Sequence, residues 1–275
     1  MDSYALLDFG DGRKLERFGQ VLLDRVSPVA IGAARAESVW SSADLRLDDR
    51  GEVLDGKPIG DGWFVAIAGM SFKLRVTPFG HVGVFPEQVA NWRWLQSLRR
   101  ESGENELPRH ALNLFAYTGG STLALAQAGF HVVHVDASAP SVKWARENAA
   151  NNGLEEFPIR WIVEDARKFA ARELKRGRRY DLIVLDPPSF GHGPGGLRWE
   201  ITNDLFPLLE TCLGILSEGG KVLLTAHSVA PNPDEITDWL SQSLRDNGRI
   251  QSKRLAIPDR NNRQLDSGFC IRVET

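Results

Sequence analysis

From Ala111 onward, apolar runs of five or six residues alternate with helical segments, a pattern that calls for a parallel sheet covered by helices. The spacing predicts strands at 111–115, 131–136, 159–164, 181–186 and 221–226, with helices near 120–128, 139–151, 166–176, 201–216 and 233–245. Two more strands, 251–257 and 268–273, follow the last helix and are joined by a polar loop over 258–267. The expected fold class is therefore α/β: a Rossmann-like, seven-stranded, mostly parallel sheet ending in an antiparallel hairpin. Five βα units closed by a hairpin is not the dinucleotide-dehydrogenase plan.

Upstream the texture is different. Residues 63–67 and 72–76 alternate as strands do and are separated by Gly69-Met70-Ser71, which predicts a hairpin. Residues 1–58 mix turn signals such as Gly10-Asp11-Gly12 with short apolar pieces, which suggests small strands and little else. Pro86-Glu87-Gln88 has the proline and acid of a helix start, Val89, Trp92, Leu95 and Leu98 give an apolar face, and Arg99-Arg100 suit the last turn. A polar stretch over 101–106 reads as a linker. The organisation expected is a small β-rich region over 1–80 and a main domain over 81–275.

Composition narrows the class further. With 275 residues, 42% hydrophobic and 25% charged, the chain is ordinary globular protein, so disorder, collagen and a coiled-coil rod are excluded. Its two cysteines, Cys212 and Cys270, are too few for a disulfide framework or a zinc cluster and are expected to be free thiols in a reducing compartment. The acidic start lacks the pattern of a secretory leader, and no stretch approaches the roughly 20 apolar residues of a membrane span, so a cytoplasmic protein is expected. A net charge of −3 neither supports nor excludes a nucleic-acid partner.

Open parallel sheets bind ligands beyond the carboxyl ends of their strands, and the residues there are distinctive. After the first strand stands Phe115-Ala116-Tyr117-Thr118-Gly119-Gly120-Ser121, whose paired glycines permit a tight turn. It is not the Gly-x-Gly-x-x-Gly of nicotinamide or flavin enzymes, which weakens an oxidoreductase reading. The second strand ends in Asp136, 17 positions after Gly119, where a carboxylate can accept from two vicinal ribose hydroxyls. Ser138, just before Ala139-Pro140, is the candidate helix cap there, which leaves Asp136 for a ligand. The third strand ends in Glu164-Asp165-Ala166, where the acid either meets an exocyclic adenine amine or caps the next helix. The fourth ends in Asp186-Pro187-Pro188-Ser189-Phe190: two prolines offer carbonyls without N–H groups, and the Phe190 ring is suited either to stack on a planar base or to sit in the core.

In this order the motifs resemble class I S-adenosylmethionine-dependent methyltransferases. They are most similar to the branch of bacterial large-subunit ribosomal RNA enzymes acting on cytosine C5 or guanine N7, over about His81 to Thr275. The resemblance implies that Phe115, Ala116, Tyr117, Thr118 and Gly119 wrap the methionine part of the cofactor. It likewise implies that Asp136, with Ala137 and Ser138, holds the ribose and that Asp165 and Ala166 meet the adenine. Asp186, Pro187, Pro188 and Phe190 would form the catalytic acceptor mouth, with Asp186 also touching the cofactor. Gly83-Val84-Phe85-Pro86-Glu87-Gln88 is similar to the segment preceding the domain in that branch, which implies Phe85 and Gln88 near the cofactor.

Two departures bear on the acceptor. The cytosine-C5 members carry a nucleophilic cysteine just after the fifth strand, where this chain reads Thr225-Ala226-His227-Ser228. Carbon 5 is a poor nucleophile until a thiolate adds to C6, so a nitrogen acceptor is favoured. Residues 1–80 do not read as the RNA-binding module usual in that branch. His131 and His134 fall on opposite faces of a strand and make no chelating pair, and no metal is expected. Lys175-Arg176-Gly177-Arg178-Arg179 suits a helix C-terminus, while Trp199 is singled out among the tryptophans because it follows the glycine-rich 191–196 loop, which is placed to cover a pocket. The function expected is methyl transfer to RNA. The alternatives are a small-molecule or protein methyltransferase, or a non-catalytic cofactor-binding protein.

Overall fold

In a computed structural model the chain is described over residues 2–32, 37–57, 59–60, 62–78, 80–99, 108–192, 196–227, 230–245 and 248–275. Arg100 and the linker 101–106 lie outside the described residues, as do 193–195 and Ser228. The chain divides into two compact units: residues 1–90 with Leu255–Ser267, and residues 91–254 with 268–275.

The first unit contains β1 (Tyr4–Gly10), β2 (Arg13–Phe18), β3 (Val21–Val26), α1 (Glu37–Trp40), β4 (Leu45–Leu47), β5 (Val53–Gly56), β6 (Phe64–Ile67) and β7 (Met70–Lys73). The first five strands form one sheet in the order β1-β2-β3-β4-β5, and β6 and β7 pair separately. Asp11 and Gly12, at φ 51° and 75°, make the two-residue turn that lets β1 and β2 keep their natural twist. The β6–β7 turn falls on Ala68-Gly69 rather than on Gly69-Met70-Ser71. Ala68 adopts φ 51°, a conformation its side chain does not advertise, so Met70 and Ser71 are already in the strand.

Charge is buried in this unit. Glu16 accepts from Arg25 Nε at 2.6 Å and from the Tyr4 hydroxyl at 2.8 Å, and Lys14 Nζ lies 3.3 Å away. Asp24, also buried, takes Arg13 at 2.6 Å and Arg46 at 2.7 Å. Asp8 accepts from the Trp40 indole at 2.7 Å and from Arg263. Such carboxylates are tolerable inside only because each is matched by cations and donors.

The second unit carries most of α2 (Val89–Ser97), followed by β8 (His110–Leu114), α3 (Gly120–Gln127), β9 (His131–Asp136), α4 (Ala139–Asn151), β10 (Ile159–Val163), α5 (Ala166–Lys175), β11 (Tyr180–Leu185), β12 (Phe190–His192), β13 (Arg198–Glu200), α6 (Ile201–Gly214), β14 (Leu216–Ala226) and α7 (Pro233–Ser243). The terminal strands β15 (Arg249–Pro258) and β16 (Gln264–Glu274) complete it, their tip belonging to the first unit. The sheet order is β10-β9-β8-β11-β14-β16-β15; β10, β9, β8, β11 and β14 run parallel and β16 antiparallel to β14. This is the expected seven-stranded α/β sheet.

Its parallel strands read as apolar runs because both faces are covered. On one face Leu112, Leu114, Val135, Ile183, Leu185, Val222 and Leu224 pack with Phe169 of α5, Leu205 and Leu209 of α6, and Ile236 and Leu240 of α7. On β8 and β9, Asn113 donates to Thr122 of α3 at 2.9 Å, and Thr122 meets His134 Nδ1 at 2.9 Å. Burial pushes the His134 imidazole down to about 3, aided by Arg146, so it is neutral at ordinary pH. Two boundaries shift from expectation. α2 stops at Ser97, leaving Arg99 outside its last turn, and α6 stops at Gly214 because β14 begins at Leu216.

Burial alone would raise the Glu16 carboxyl, but Arg25, Lys14 and the hydrogen bonds from Arg25 and Tyr4 override it and hold the pKa at about 2. A depressed carboxyl contributes stability above its unfolded value near 4.5, and the contribution is lost as pH falls toward 2. Glu16→Gln is expected to destabilise the protein by on the order of 3–5 kcal/mol in denaturant titrations at pH 7. It should also flatten the loss of stability between pH 4.5 and 2. A variant whose stability follows the wild type across that range would contradict this account.

Candidate functional site

Strand β8 lies between β9 and β11, so the chain crosses one way for β9 and β10 and the other way for β11 and β14. Such a reversal opens a crevice beyond the carboxyl ends of the strands. The loops after β8, β9, β10 and β11 converge there, and their mutual bonds define the site.

The first loop is strained. Phe115 and Tyr117 adopt φ 55° and 47°, and Gly119 adopts 91°. Non-glycine residues in this region cost on the order of 1 kcal/mol each and persist only where their surroundings over-determine them. Here the surroundings do so: Ala116 N–H donates to the Val135 carbonyl at 3.1 Å, Tyr117 N–H to Asp136 Oδ2 at 2.8 Å, and Asn148 of α4 to the Thr118 carbonyl at 2.9 Å. Gly120, the first residue of α3, is fixed by packing, since a Cβ there would lie 2.4 Å from the Trp92 ring. Ala116 and Thr118 are buried, while Phe115 and Tyr117 are half-buried.

Asp136 ends β9 with each oxygen held by one backbone N–H: Oδ2 by Tyr117 and Oδ1 by Ser138 at 2.8 Å. It is therefore not wholly free, as the capping argument had suggested. Two bonds leave about half of its acceptor positions, enough for a vicinal diol. Burial raises its pKa, and the two backbone donors lower it in part. Ser138 is the N-cap of α4, accepting from Ser141 N–H at 3.3 Å, with Ala137 half-buried between the two.

At the end of β10, Asp165 is the N-cap of α5. It accepts from the N–H groups of Arg167 at 2.9 Å and Lys168 at 3.2 Å, and from the Arg167 guanidinium. Ala166 is buried beside it, and Glu164 N–H donates to the Asp136 carbonyl at 3.0 Å. Arg167 also reaches Asp204 of α6 at 2.8 Å.

At the end of β11, Asp186 accepts from the Thr225 hydroxyl of β14. Pro187 is buried; the Pro188 carbonyl takes the Trp199 indole N–H at 2.6 Å, so only one of the two proline carbonyls remains open among the described residues. Phe190 is 71% exposed, which removes the core alternative for its ring. Trp199 is buried against Phe115 at 4.7 Å between ring centroids.

The crevice thus gathers Phe115 to Gly119, Asp136 to Ser138, Asp165, Ala166 and Asp186 to Phe190. Phe85 and Gln88 belong to the first unit, where Phe85 precedes the 3-10 turn Pro86–Gln88 and meets the His81 ring at 5.2 Å. Sequence reasoning missed Thr225, Asn148 and the bridging role of Arg167, because a strand-end hydroxyl, a helical amide and a surface-like arginine carry no signal of their partners. Cys212 is buried in α6 and burial pushes its thiol up to about 12. Cys270 is buried on β16 and burial raises its thiol too.

Comparison with known proteins supplies the family and supports the fold. The sequence matches the S-adenosylmethionine-dependent methyltransferase family over residues 12–253. A solved S-adenosylmethionine-dependent methyltransferase from Agrobacterium tumefaciens is 36% identical and superposes with a TM-score of 0.91 over 99% of this chain and 90% of its own. Ribosomal RNA large subunit methyltransferase K/L of Methylococcus capsulatus is 36% identical over 161 residues, which are 58% of this chain but 21% of that protein. A ribosomal RNA large subunit methyltransferase of Deinococcus radiodurans is 28% identical over 216 residues, 78% of this chain and 51% of that protein. The chain therefore spans between a fifth and a half of these curated relatives. From the family match across most of its length, the chain belongs to the S-adenosylmethionine-dependent methyltransferases.

Proposed function

We propose that this methyltransferase acts on RNA, at a nitrogen of a base. The observation that carries the reading is Phe190, an exposed ring two positions after Asp186-Pro187-Pro188. An aromatic side chain open to solvent beside a rigid acceptor loop suits the face of an unstacked base, worth on the order of 1–3 kcal/mol. The base must be single-stranded or flipped to reach it. The curated relatives named as ribosomal RNA methyltransferases support RNA as the acceptor class. An RNA acceptor is in keeping with a cytoplasmic protein.

Nitrogen is favoured because the C5 route needs a thiolate. Strand β14 ends at Ala226 and His227 follows it, and both cysteines are buried with raised thiols. A nitrogen lone pair needs no covalent activation.

In this reading Asp136 holds the ribose hydroxyls of the cofactor, with Ala137 and Ser138 alongside. Phe115, Ala116, Tyr117, Thr118 and Gly119 enclose its methionine part, and Asp165 and Ala166 border the adenine. S-adenosylmethionine supplies a methyl group activated by its sulfonium. The protein supplies position: Pro187 and Pro188 stiffen the mouth, Asp186 orients the acceptor through its carboxylate, and Phe190 holds the base plane. Such reactions lean on holding atoms roughly 3–3.5 Å apart more than on acid–base groups.

Incubation with methyl-labelled S-adenosylmethionine and total RNA, followed by nucleoside mass spectrometry, is expected to place the label on a base nitrogen. Label on protein or a small metabolite with none on RNA would overturn the RNA reading, and label on a pyrimidine C5 the nitrogen reading. Phe190→Ala is expected to lower kcat/KM for RNA about 10-fold, with cofactor affinity unchanged. Asp136→Ala is expected to weaken cofactor binding on the order of 100-fold by calorimetry, since two charge-assisted hydrogen bonds are lost.

A further inference from the structure

Between the first loop and the acceptor loop stands a residue that the reading above does not use. Trp199 of β13 is 4% exposed, and its indole touches both loops: Nε1 donates to the Pro188 carbonyl at 2.6 Å, and the ring lies 4.7 Å from Phe115, tilted by 59°. Phe115 is the strained residue that begins the first loop, and Pro188 is the outer proline of the mouth.

The indole is itself held. The Arg167 guanidinium lies 5.7 Å from the centre of the Trp199 ring. Its own orientation is fixed by Asp165, through Nη2 at 2.8 Å and Nε at 3.2 Å, and by Asp204 through Nη1 at 2.8 Å. The second oxygen of Asp204 accepts from the N–H of Glu200, the neighbour of Trp199, at 2.8 Å. On the other side the β12–β13 pairing sets Gly191 opposite Trp199. A Cβ at Gly191 would lie 3.5 Å from Pro188 and 3.6 Å from Trp199, so even a methyl group there would meet both at ordinary contact distance. A planar guanidinium forked between two carboxylates has little freedom, and a tryptophan has only two side-chain torsions.

We propose that Trp199 is a positioning residue that fixes the acceptor mouth relative to the cofactor loop, with Arg167 as the clamp that orients it. The proposal rests on the methyl-transfer reading of this crevice. It adds that the distance between donor and acceptor is set by an indole wedged between Phe115 and Pro188. Because Trp199 meets Pro188, Phe115 and Arg167 rather than Phe190 or Asp136 among the described residues, its loss should be felt in the turnover step rather than in binding.

Trp199→Phe keeps an aromatic ring against Phe115 and removes the N–H to Pro188. It is expected to lower kcat about 10-fold while cofactor Kd and RNA KM stay within threefold of wild type. Arg167→Gln leaves Trp199 in place and removes the fork. It is expected to lower kcat in the same sense, and Arg167→Lys, which lacks the planar fork, should not restore it. A Trp199→Phe enzyme with wild-type kcat would overturn the proposal, as would a loss confined to RNA KM or cofactor Kd.

A second readout does not depend on RNA. With the protein labelled with 5-fluorotryptophan, the Trp199 resonance is assigned by its disappearance in Trp199→Phe. Adding S-adenosylhomocysteine should shift that resonance in the wild type. If the wild type labels no RNA but the resonance shifts, the RNA reading has failed and the wedge stands. If S-adenosylhomocysteine binds and the resonance does not move, the wedge has failed whatever the acceptor.

Discussion

The carboxylate of Asp136 is the interaction on which the rest of the crevice depends. One oxygen takes the N–H of Tyr117 and the other the N–H of Ser138, so one group sets the conformation of two loops. Tyr117 and Phe115 sit at positive φ, and the bond from Tyr117 N–H to Asp136 offsets part of that strain. Once the first loop is fixed, Phe115 presents its ring to Trp199, and Trp199 in turn fixes Pro188. The third loop joins through the Glu164 N–H, which bonds to the backbone carbonyl of Asp136. The strain of one loop, the cap of the next helix and the placement of the acceptor mouth are linked through the residue that ends β9.

A second layer of support lies under the loops. Asn113, Thr122 and His134 form a buried polar line across β8, α3 and β9, and Asn148 of α4 reaches the Thr118 carbonyl. Inside a protein such bonds are strong when satisfied and costly when broken, so they fix the helices that deliver the loops. Asp186 is steadied in the same way by the Thr225 hydroxyl of the neighbouring strand.

The second unit was far more legible in the sequence than the first, for physical reasons. Strands β8, β9, β11 and the second half of β14 are covered on both faces, so they appear as largely apolar runs, and the acids at the ends of β9 and β11 stand out against them. In β2 and β3 the buried positions include Glu16, Asp24 and Arg25, whose partners come from other strands, so the apolar–polar alternation that marks a strand is hidden. Ala68 in a left-handed turn and a helix ended by the strand that follows it moved boundaries in the same way. In the site, the backbone-anchored residues could be found from their place in the βα units. The residues that act through side-chain partners, Thr225 and Arg167, could not, because those partners lie on other elements.

The central claim is that the loops gathered around Asp136 hold the cofactor and that the mouth beyond Asp186 receives the acceptor. The most direct test is a crystal structure of the complex with S-adenosylhomocysteine. The account predicts both ribose hydroxyls on the Asp136 carboxylate and the sulfur turned toward Asp186-Pro187-Pro188. A cofactor product bound elsewhere, with Asp136 contacting only Tyr117 and Ser138, would contradict it.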